Sequence, residues 1–373
     1  MKIAILGTRG IPNNYGGFEQ FAEYLSVGLV QRGYEVTVYN SHTHAYQENE
    51  FNGVKIEHIY DPENRVGTAG QFIYDFLSIL DTRKKDFDII LQLGYTSSSI
   101  FFDLHPRSTI IITNMDGLEW KRTKYSKKVQ KFLQWAESLA VKKSNHLVSD
   151  SIGIRNYLFR KYQATSTYIP YGSNLFEDEN VDVLLEYGLV AYGYNMLIAR
   201  LEPENSIEMI LDGVVESNTK TLFLIVGKYD TKFGEYLKIK FKENENIKFI
   251  GGIYDIIVLN NLRHFSNLYF HGHTVGGTNP SLLEAMASGA LICANDNEFN
   301  STILGDDAFY FLSIEDVAKV LAGVSKDEHS IKIENNREKI TKLYTWENIV
   351  DDYEKLFVNL MKERESENYT KSN

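Results

Sequence analysis

Cysteine is almost absent from this chain, which carries a single one, Cys293, in 373 residues. A disulfide scaffold and a cysteine-based zinc site are therefore excluded, and a reducing compartment fits. Cys293 lies within the apolar run 290–294, a pattern typical of a buried strand, so we expect no reactive thiol chemistry there.

Long apolar runs are missing as well, since none approaches the roughly 18–20 residues that span a bilayer. The chain passes from Met1-Lys2 into the apolar run 3–6, which is too short for the core of a signal peptide. We therefore expect a cytoplasmic protein. Positive charge is also in deficit, and the net charge of −11 argues against nucleic acid as a main partner.

Several sequence motifs of cofactor and nucleophile chemistry are missing too. The first strand–loop–helix unit has no G-x-G-x-x-G, and the second predicted strand ends in Tyr39-Asn40 without the acid that would hold an NAD ribose. The chain has no G-x-x-x-x-G-K-[ST] phosphate loop and no G-x-S-x-G nucleophile elbow. His264, His271 and His273 have no acid or cysteine nearby to complete a ligand set, so we expect no metal site.

Two successive series of alternating strands and helices make up most of the chain, which predicts an α/β protein with parallel sheets. Strands of the first series are predicted at 2–6, 35–39, 54–60, 89–93, 109–113, 146–149 and 166–169, and helices at 18–32, 69–80 and 126–143. Strands of the second series are predicted at 195–199, 222–226, 247–250, 268–270, 290–294 and 309–311.

The domain boundaries follow from this alternation. We predict an N-terminal domain over 1–173, a linker within 176–189 and a C-terminal domain over 190–345. Apolar residues at helical spacing predict a last helix in 346–365, followed by a polar tail, 366–373.

A glycine-rich loop and a helix start follow the predicted strand 268–270. The sequence runs Gly276-Gly277-Thr278-Asn279-Pro280-Ser281, and Glu284 comes about one helical turn further on. Backbone amides at a helix start bind phosphate, and a carboxylate one turn in can accept hydrogen bonds from sugar or ribose hydroxyls. An ordinary strand–loop–helix corner explains the same residues. The stretch is thus a candidate diphosphate site.

Two cations follow neighbouring strands of the second series. Arg200 comes after the strand 195–199, and Lys228 follows the strand 222–226. Parallel strands end at one edge of a sheet, so both side chains are expected near the glycine loop. A guanidinium can pair two phosphate oxygens at once. Diphosphate binding and surface salt bridges are the two interpretations of this pair.

Candidate residues of the N-terminal domain also follow strands. Gly16-Gly17 enters a helix with Glu19 in its first turn, which suits an anion or sugar pocket or a flexible helix start. Asp116 and Glu119 follow the strand 109–113 and are candidates for hydroxyl recognition or acid–base work. Structural roles in a turn and in the first turn of a helix are the alternatives.

The scarce basic residues cluster in the stretch 121–143, where Glu137 is the only acid. The basic residues there are Lys121, Arg122, Lys124, Lys127, Lys128, Lys131, Lys142 and Lys143. The cluster is compatible with a solvated helix face or with a surface that contacts anionic phospholipid.

With these pieces in place, the chain resembles the family-4 retaining glycosyltransferases of the GT-B fold over nearly its whole length. More narrowly, it is similar to their bacterial rhamnosyltransferase branch. The resemblance rests on 7–12 with 15–19, 116–122, 149–151, 169–172, 199–205 and 277–286. It implies two Rossmann-like domains whose parallel sheets face across a cleft, the last helix crossing back to the N-terminal domain.

The chain departs from the family's pattern at two positions. The usual signature is Glu, seven residues, Glu; here Glu284 is the second and Gly276 replaces the first. The donor-site Arg matches Arg200, but Asn205 replaces the Lys five positions on. The first Glu normally touches the donor sugar, so Gly276 leaves the recognition of the sugar open.

The resemblance implies a metal-independent hexosyltransferase without a cofactor. Asp116, Arg200 and Glu284 are the implied catalytic residues, with Gly16, Gly17, Glu19 and Glu119 on the acceptor side. The donor site would comprise Arg200, Lys228, Gly277, Thr278, Asn279, Ser281 and Glu284.

The implied donor is dTDP-L-rhamnose, and the acceptor is a lipid-linked saccharide at the inner face of the cell membrane. The implied pathway is surface polysaccharide synthesis. Two other functions are compatible with the sequence: an epimerase of the same fold that acts on a UDP-sugar, and a degenerate transferase kept as a scaffold. Gly276 and Asn205 keep the scaffold interpretation open.

Overall fold

The computed structural model describes residues 1–14, 16–115, 117–122 and 125–372, the side chains of 367–369, 371 and 372 excepted. The chain divides into two compact units. The first unit combines Met1–Gly172 with Trp346–Asn373, and the second is the continuous stretch Ser173–Thr345. Each unit is built on its own sheet, so the predicted α/β class with two parallel-sheet domains is confirmed.

The first unit contains an eight-stranded sheet. Its strands are β1 Lys2–Leu6, β2 Glu35–Ser41, β3 Glu50–Phe51, β4 Val54–Ile59, β5 Ile89–Leu93, β6 Ile110–Asn114, β7 His146–Ser149 and β8 Thr167–Tyr168. Its helices up to the second unit are α1 Gly17–Gln31, α2 Glu63–Val66, α3 Gly70–Thr82, α4 Lys127–Lys143 and α5 Ile152–Tyr162. The strand order is β3-β4-β2-β1-β5-β6-β7-β8.

The central strands of this sheet are apolar almost throughout. All five residues of β5 are buried, and β5 pairs in parallel with β1 and β6. Continuous apolar strands are typical of parallel sheets that are covered on both faces. Among the residues that the structure describes, this sheet has one antiparallel pair, β3 with β4, at its edge. It was not predicted, because a two-residue strand leaves no alternation to recognise.

The second unit contains a six-stranded, fully parallel sheet. Its strands are β9 Tyr194–Ile198, β10 Leu222–Val226, β11 Ile247–Gly251, β12 Leu268–His271, β13 Ile292–Asn295 and β14 Phe309–Phe311. Its helices are α6 Val183–Glu186, α7 Ile207–Glu216, α8 Lys232–Lys240, α9 Ile256–His264, α10 Pro280–Ala287, α11 Glu298–Leu304, α12 Ile314–Gly323 and α13 Ser330–Leu343.

The strand order of the second sheet is β11-β10-β9-β12-β13-β14. From β9 the chain adds β10 and β11 toward one edge of the sheet. It then returns to the other flank of β9 and adds β12, β13 and β14 toward the opposite edge. The direction of the order therefore reverses between β9 and β12. Open parallel sheets bind ligands at such a switch point, outside the carboxyl ends of the strands.

The stretch 176–189, predicted as a linker, belongs to the second unit. It contains α6, and Leu184 on that helix is only 1% exposed. The acidic composition suggested a solvated connection, but burying this leucine ties the segment to the body of the unit. The second unit therefore starts earlier along the chain than the predicted residue 190.

The last helix, α14 Trp346–Ser372, returns to the first unit. Its residues Ile349, Tyr353 and Phe357 are fully buried, and the ring of Trp346 stacks on Tyr24 of α1 with centroids 4.4 Å apart. Residues 366–373 were predicted as a polar tail, yet the helix continues through them to Ser372. Among the described residues, no helix is both long and apolar enough to cross a bilayer.

Candidate functional site

The glycine loop between β12 and α10 forms the start of a helix, as its residue types predict. Asn279 is the N-cap, and its side-chain oxygen accepts a hydrogen bond from the Ser281 amide at 2.9 Å. Pro280 occupies the first helical position, where no backbone N–H is needed. Because the Ser281 amide is already bonded, the Asn279 side chain must move before that amide can bind a phosphate. Thr278 is buried, with 2% exposure.

Glu284 lies in the same helix and is held by an arginine that sequence reasoning did not single out. The Oε2 atom of Glu284 accepts a hydrogen bond of 2.7 Å from Nη2 of Arg263. The same nitrogen donates to Oγ of Ser281 at 3.0 Å, and Nη1 donates to Asn260 at 2.8 Å. The Tyr269 hydroxyl lies 3.0 Å from the Ser281 hydroxyl. The guanidinium of Arg263 thus fixes the position of the Glu284 carboxylate.

Arg263 is buried to an unusual degree for its type, with 1% exposure. It lies on α9, and its position four residues after the buried Leu259 places both on one helical face. The sequence therefore contained a signal for its burial. A buried guanidinium needs an acid partner, and Glu284 supplies one at the candidate donor site.

The imidazole rings of His271 and His273 stack on each other at the end of β12, before the glycine loop. His271, the last residue of β12, is 1% exposed, and its ring lies 4.4 Å from that of His273. Burial holds the pKa of His271 well below its usual range, and the neighbouring His273 and Arg263 lower it further. His271 is therefore neutral. No group of three or more metal-ligating side chains occurs in the part of the chain that the structure describes.

The segment between β12 and the glycines is anchored on both sides. Thr274 donates to the carbonyl oxygen of Glu204 from its amide at 3.1 Å and from its hydroxyl at 2.8 Å. The side chains of Asn297 and Asn300 donate to the carbonyl oxygen of His273 at 3.0 and 3.1 Å. These bonds join the loops after β9, β12 and β13, which fixes the backbone that leads into the glycines.

Arg200 and Lys228 follow β9 and β10, which are neighbours in the sheet and pair Ile198 with Val226. Both side chains are exposed, and the Lys228 ammonium lies 5.5 Å from the centre of the Tyr254 ring. Asn205, where the family pattern has a lysine, is buried, and its side-chain nitrogen donates to the carbonyl oxygen of Arg200 at 2.7 Å. Asn205 therefore shapes the turn that carries Arg200.

Two acceptor-side candidates, Glu19 and Glu119, make contacts within the first unit. Glu19 is 4% exposed and accepts hydrogen bonds from the Arg9 amide at 2.8 Å and the Thr8 hydroxyl at 3.2 Å. Its carboxylate thus holds the loop after β1. Glu119 pairs with Arg122 at 2.7 Å.

Two further candidate positions lie at the start of α1. Gly16 caps this helix with extended backbone, and Gly17 is its first residue. Asp116, the candidate for acceptor activation, and Lys124 of the basic cluster lie outside the described residues.

Comparison with known proteins gives a partial match in sequence and a nearly complete one in structure. Residues 1–174 match a family model described as a domain of unknown function, DUF1972. No protein of curated function matches the chain.

Solved structures that resemble the chain over nearly all of its length include three sugar-handling proteins. Sucrose-phosphate synthase from Thermosynechococcus elongatus has a TM-score of 0.79 at 17% identity, covering 97% of this chain and 99% of that one. HepE from Anabaena, in complex with UDP and glucose, has a TM-score of 0.74 at 15% identity and coverages of 96% and 100%. WaaG, a glycosyltransferase involved in lipopolysaccharide biosynthesis, has a TM-score of 0.67 at 14% identity, covering 94% of this chain and 99% of that one. The fold of this chain is therefore the GT-B fold of these proteins.

Proposed function

We propose that this protein is a metal-independent, retaining glycosyltransferase that takes its sugar from a nucleotide-activated donor. The observation that carries the proposal is the Glu284 carboxylate, which Arg263 holds on α10 next to the β9–β12 switch point. A fixed carboxylate at this edge suits the hydroxyls of a nucleotide ribose. In support, HepE shares the fold and has been solved with UDP-glucose.

The donor diphosphate would lie over the start of α10. Arg200 and Lys228, exposed on neighbouring strand ends, would supply two positive charges to its oxygens. The amides of the loop 277–279 and the positive end of the α10 dipole would add to them. These groups take the part that a divalent cation plays in other sugar-nucleotide enzymes.

In the proposed reaction the bond between the anomeric carbon and the diphosphate oxygen breaks, and a bond to the acceptor oxygen forms on the same face. The leaving diphosphate gains negative charge, which Arg200 and Lys228 stabilise more in the transition state than in the ground state. A phosphate oxygen takes the proton of the acceptor hydroxyl, so atoms and charge balance. Asp116 would orient that hydroxyl.

The proposal extends to a donor and an acceptor. The donor is dTDP-L-rhamnose, whose 6-deoxy sugar fits a chain with Gly276 in place of the carboxylate that touches the sugar in related transferases. The acceptor is a saccharide on a lipid diphosphate at the inner face of the cell membrane. The basic stretch 121–143 would bring the enzyme to that surface.

The test is a binding and turnover screen of dTDP-rhamnose, UDP-glucose and GDP-mannose with the purified protein and its Arg200→Ala variant. Calorimetry measures binding, and release of the nucleoside diphosphate measures turnover. We expect dTDP-rhamnose to bind most tightly and the variant to lose most of the turnover. A stronger response to another donor overturns the rhamnose assignment alone.

The same screen separates the rival functions. Conversion of a UDP-sugar into an isomer without an acceptor would identify an epimerase. If none of the nucleotide sugars tested binds the protein, the result would indicate a scaffold protein. Either result overturns the transferase.

A further inference from the structure

Two histidines at the end of β12 place polar side chains just before the glycine loop of the candidate donor site. We define the imidazole stack as His271 and His273, whose rings lie 4.4 Å apart with an angle of 16° between their planes. His271 is buried, and His273 is partly exposed. The imidazole stack therefore extends from the interior of the second unit to its surface.

The imidazole stack lies on the side of the sheet that α10 covers. The hydroxyl of Tyr269 lies 3.0 Å from the Ser281 hydroxyl on α10, so the Tyr269 side chain points to that side. His271 follows Tyr269 by two residues on β12 and therefore points the same way, with the two ring centroids 6.5 Å apart. The guanidinium of Arg263, which holds Glu284, lies 5.9 Å from the centre of the Tyr269 ring. The imidazole stack and the Glu284 carboxylate are thus on one side of the sheet.

The ring nitrogens of His271 are buried without a partner. Neither Nδ1 nor Nε2 has a hydrogen bond within the part of the chain that the structure describes. A buried polar group in this state costs stability, and an apolar side chain would fill the same space without that cost. Packing alone therefore does not account for an imidazole at this position. Native proteins keep few such groups, and a bound ligand is one source of the missing partner.

The other positions of the loop 272–278 are less suited to contact a sugar. Gly276 has no side chain, and its backbone φ of +139° is one that residues with a Cβ rarely adopt, so the loop conformation itself disfavours a carboxylate there. The hydroxyl of Thr274 donates to the carbonyl oxygen of Glu204 at 2.8 Å. Thr278 is 2% exposed. His273 is therefore the polar side chain of this loop best placed to meet a sugar.

The order of groups in a sugar nucleotide places the sugar near the imidazole stack. Ribose, diphosphate and sugar follow one another, and the proposed function assigns the ribose to Glu284 and the diphosphate to the amides of 277–279. The sugar then lies beyond these amides, on the side of 273–276. His273 is three residues from Gly276, so their Cα atoms are at most about 11 Å apart. A hexose ring and an imidazole side chain together can bridge that distance.

We infer that the imidazole stack recognises the donor sugar: His273 exchanges a hydrogen bond with one sugar hydroxyl, and His271 bonds a second once the loop 276–278 has moved aside. The Asn279 side chain must also move before the Ser281 amide can bind a phosphate, so donor binding already rearranges this loop. A neutral imidazole has one donor and one acceptor, which suits a hydroxyl and adds no negative charge beside the diphosphate. The inference rests on the proposed function and assigns to it the residues that select the sugar.

The test is calorimetry of the full-length protein with the donor that the screen selects, dTDP-rhamnose by the proposal, and with its free nucleoside diphosphate. The ratio of the two dissociation constants isolates the contribution of the sugar. His273→Ala and His271→Phe should each bind the sugar nucleotide about fivefold less tightly, as the loss of one hydrogen bond implies. Both should bind the free nucleotide as the unaltered protein does. His273→Gln keeps a hydrogen-bonding side chain and should recover part of the loss.

His329→Ala is the matched control, because His329 packs against Phe309 at the first residue of β14, on the opposite edge of the same sheet. It should bind both ligands unchanged, and thermal denaturation checks that each variant is folded. Equal losses for sugar nucleotide and free nucleotide would overturn the inference, as would unchanged binding by both histidine variants. A loss confined to one of them would reject the pair. Failure of the proposed function is distinguishable, since the unaltered protein would then bind no sugar nucleotide.

Discussion

The Nη2 atom of Arg263 lies 2.7 Å from Oε2 of Glu284, so a fully buried cation on α9 holds the carboxylate that we assign to the donor nucleotide. The guanidinium also bonds Ser281 and Asn260, which leaves it little freedom. Arg263 is thus a positioning residue: it fixes the direction of a group that touches the donor.

Replacing Arg263 should weaken both the fold and the donor site. Arg263→Ala leaves the acid without its buried partner, and we expect a loss of about 3–5 kcal/mol in the free energy of unfolding. Arg263→Lys keeps the charge but not the planar fork, so it should recover part of the stability while the KM for the donor stays raised. Urea denaturation and steady-state kinetics measure the two effects. A KM that returns fully in the lysine variant would contradict the positioning role.

Variants of Arg200 and Glu284 should differ in their effect on the stability of the fold. Because Arg200 is exposed, Arg200→Ala should change the free energy of unfolding by about 0.5 kcal/mol or less and lower kcat about 100-fold. Glu284→Ala should also destabilise the fold, by about 3 kcal/mol, because it leaves Arg263 buried without an acid. Glu284→Gln keeps the shape and is the matched control. Equal stability of all three variants would argue against the buried pair.

Two glycines of the β12–α10 loop should tolerate alanine differently. At Gly276 the backbone φ is +139°, but an added Cβ would meet nothing within 4 Å, so Gly276→Ala should cost about 1–2 kcal/mol of backbone strain. At Gly272 the Cβ would lie 2.0 Å from the carbonyl oxygen of Asn205, and no flexible side chain can relieve that clash. Gly272→Ala should therefore destabilise the second unit by several times as much. Equal denaturation midpoints for the two variants would refute this difference.

A buried acid in the first unit should make stability depend on pH. Asp75 is 7% exposed, and burial raises its pKa to about 7, although a hydrogen bond of 2.6 Å from Ser97 opposes the rise. The folded state then binds this proton more tightly than the unfolded state, whose aspartates titrate near pH 3.9. This contribution to stability is therefore lost as pH rises from about 4 to about 7.

Asp75→Asn should remove that dependence. Relative to the unaltered protein, the variant should gain about 3 kcal/mol in the free energy of unfolding between pH 5 and pH 8, at 1.36 kcal/mol per pKa unit. Urea titrations at several pH values give the difference. Asp103→Asn is the control, because the Asp103 side chain is 79% exposed. A gain of the same size in both variants would contradict the assignment to Asp75.

The sequence was sufficient for the architecture because burial imposes a simple pattern on parallel strands. The runs 89–93, 222–226 and 309–311 are strands at the predicted bounds, since an apolar run between polar turns has few other uses. Segments without such a pattern were missed, as with the two-residue strand β3. The polar end of α14 was also missed, because its helicity depends on the turns before it.

The candidate site was harder to predict because the sequence does not show which partner a polar side chain contacts in the folded protein. Glu19 is a candidate for the acceptor side, and the sequence did not show that its carboxylate on α1 accepts a hydrogen bond from the Arg9 amide in the loop after β1. Arg263 was passed over because a cation in the last turn of a helix usually complements the dipole in solvent. Its spacing from Leu259 indicated burial, but only the structure identifies Glu284 as the acid that pairs with the buried guanidinium.

The return of α14 to the first unit bears on how the protein folds during synthesis. Domains usually form in the order in which the ribosome makes them. Here the unit whose strands are made first lacks Ile349, Tyr353 and Phe357 of its core until the second unit has been made. The second unit, one uninterrupted segment, is complete by residue 345. The second unit can therefore reach its native state first, and the first unit can complete its core only after α14 has been made.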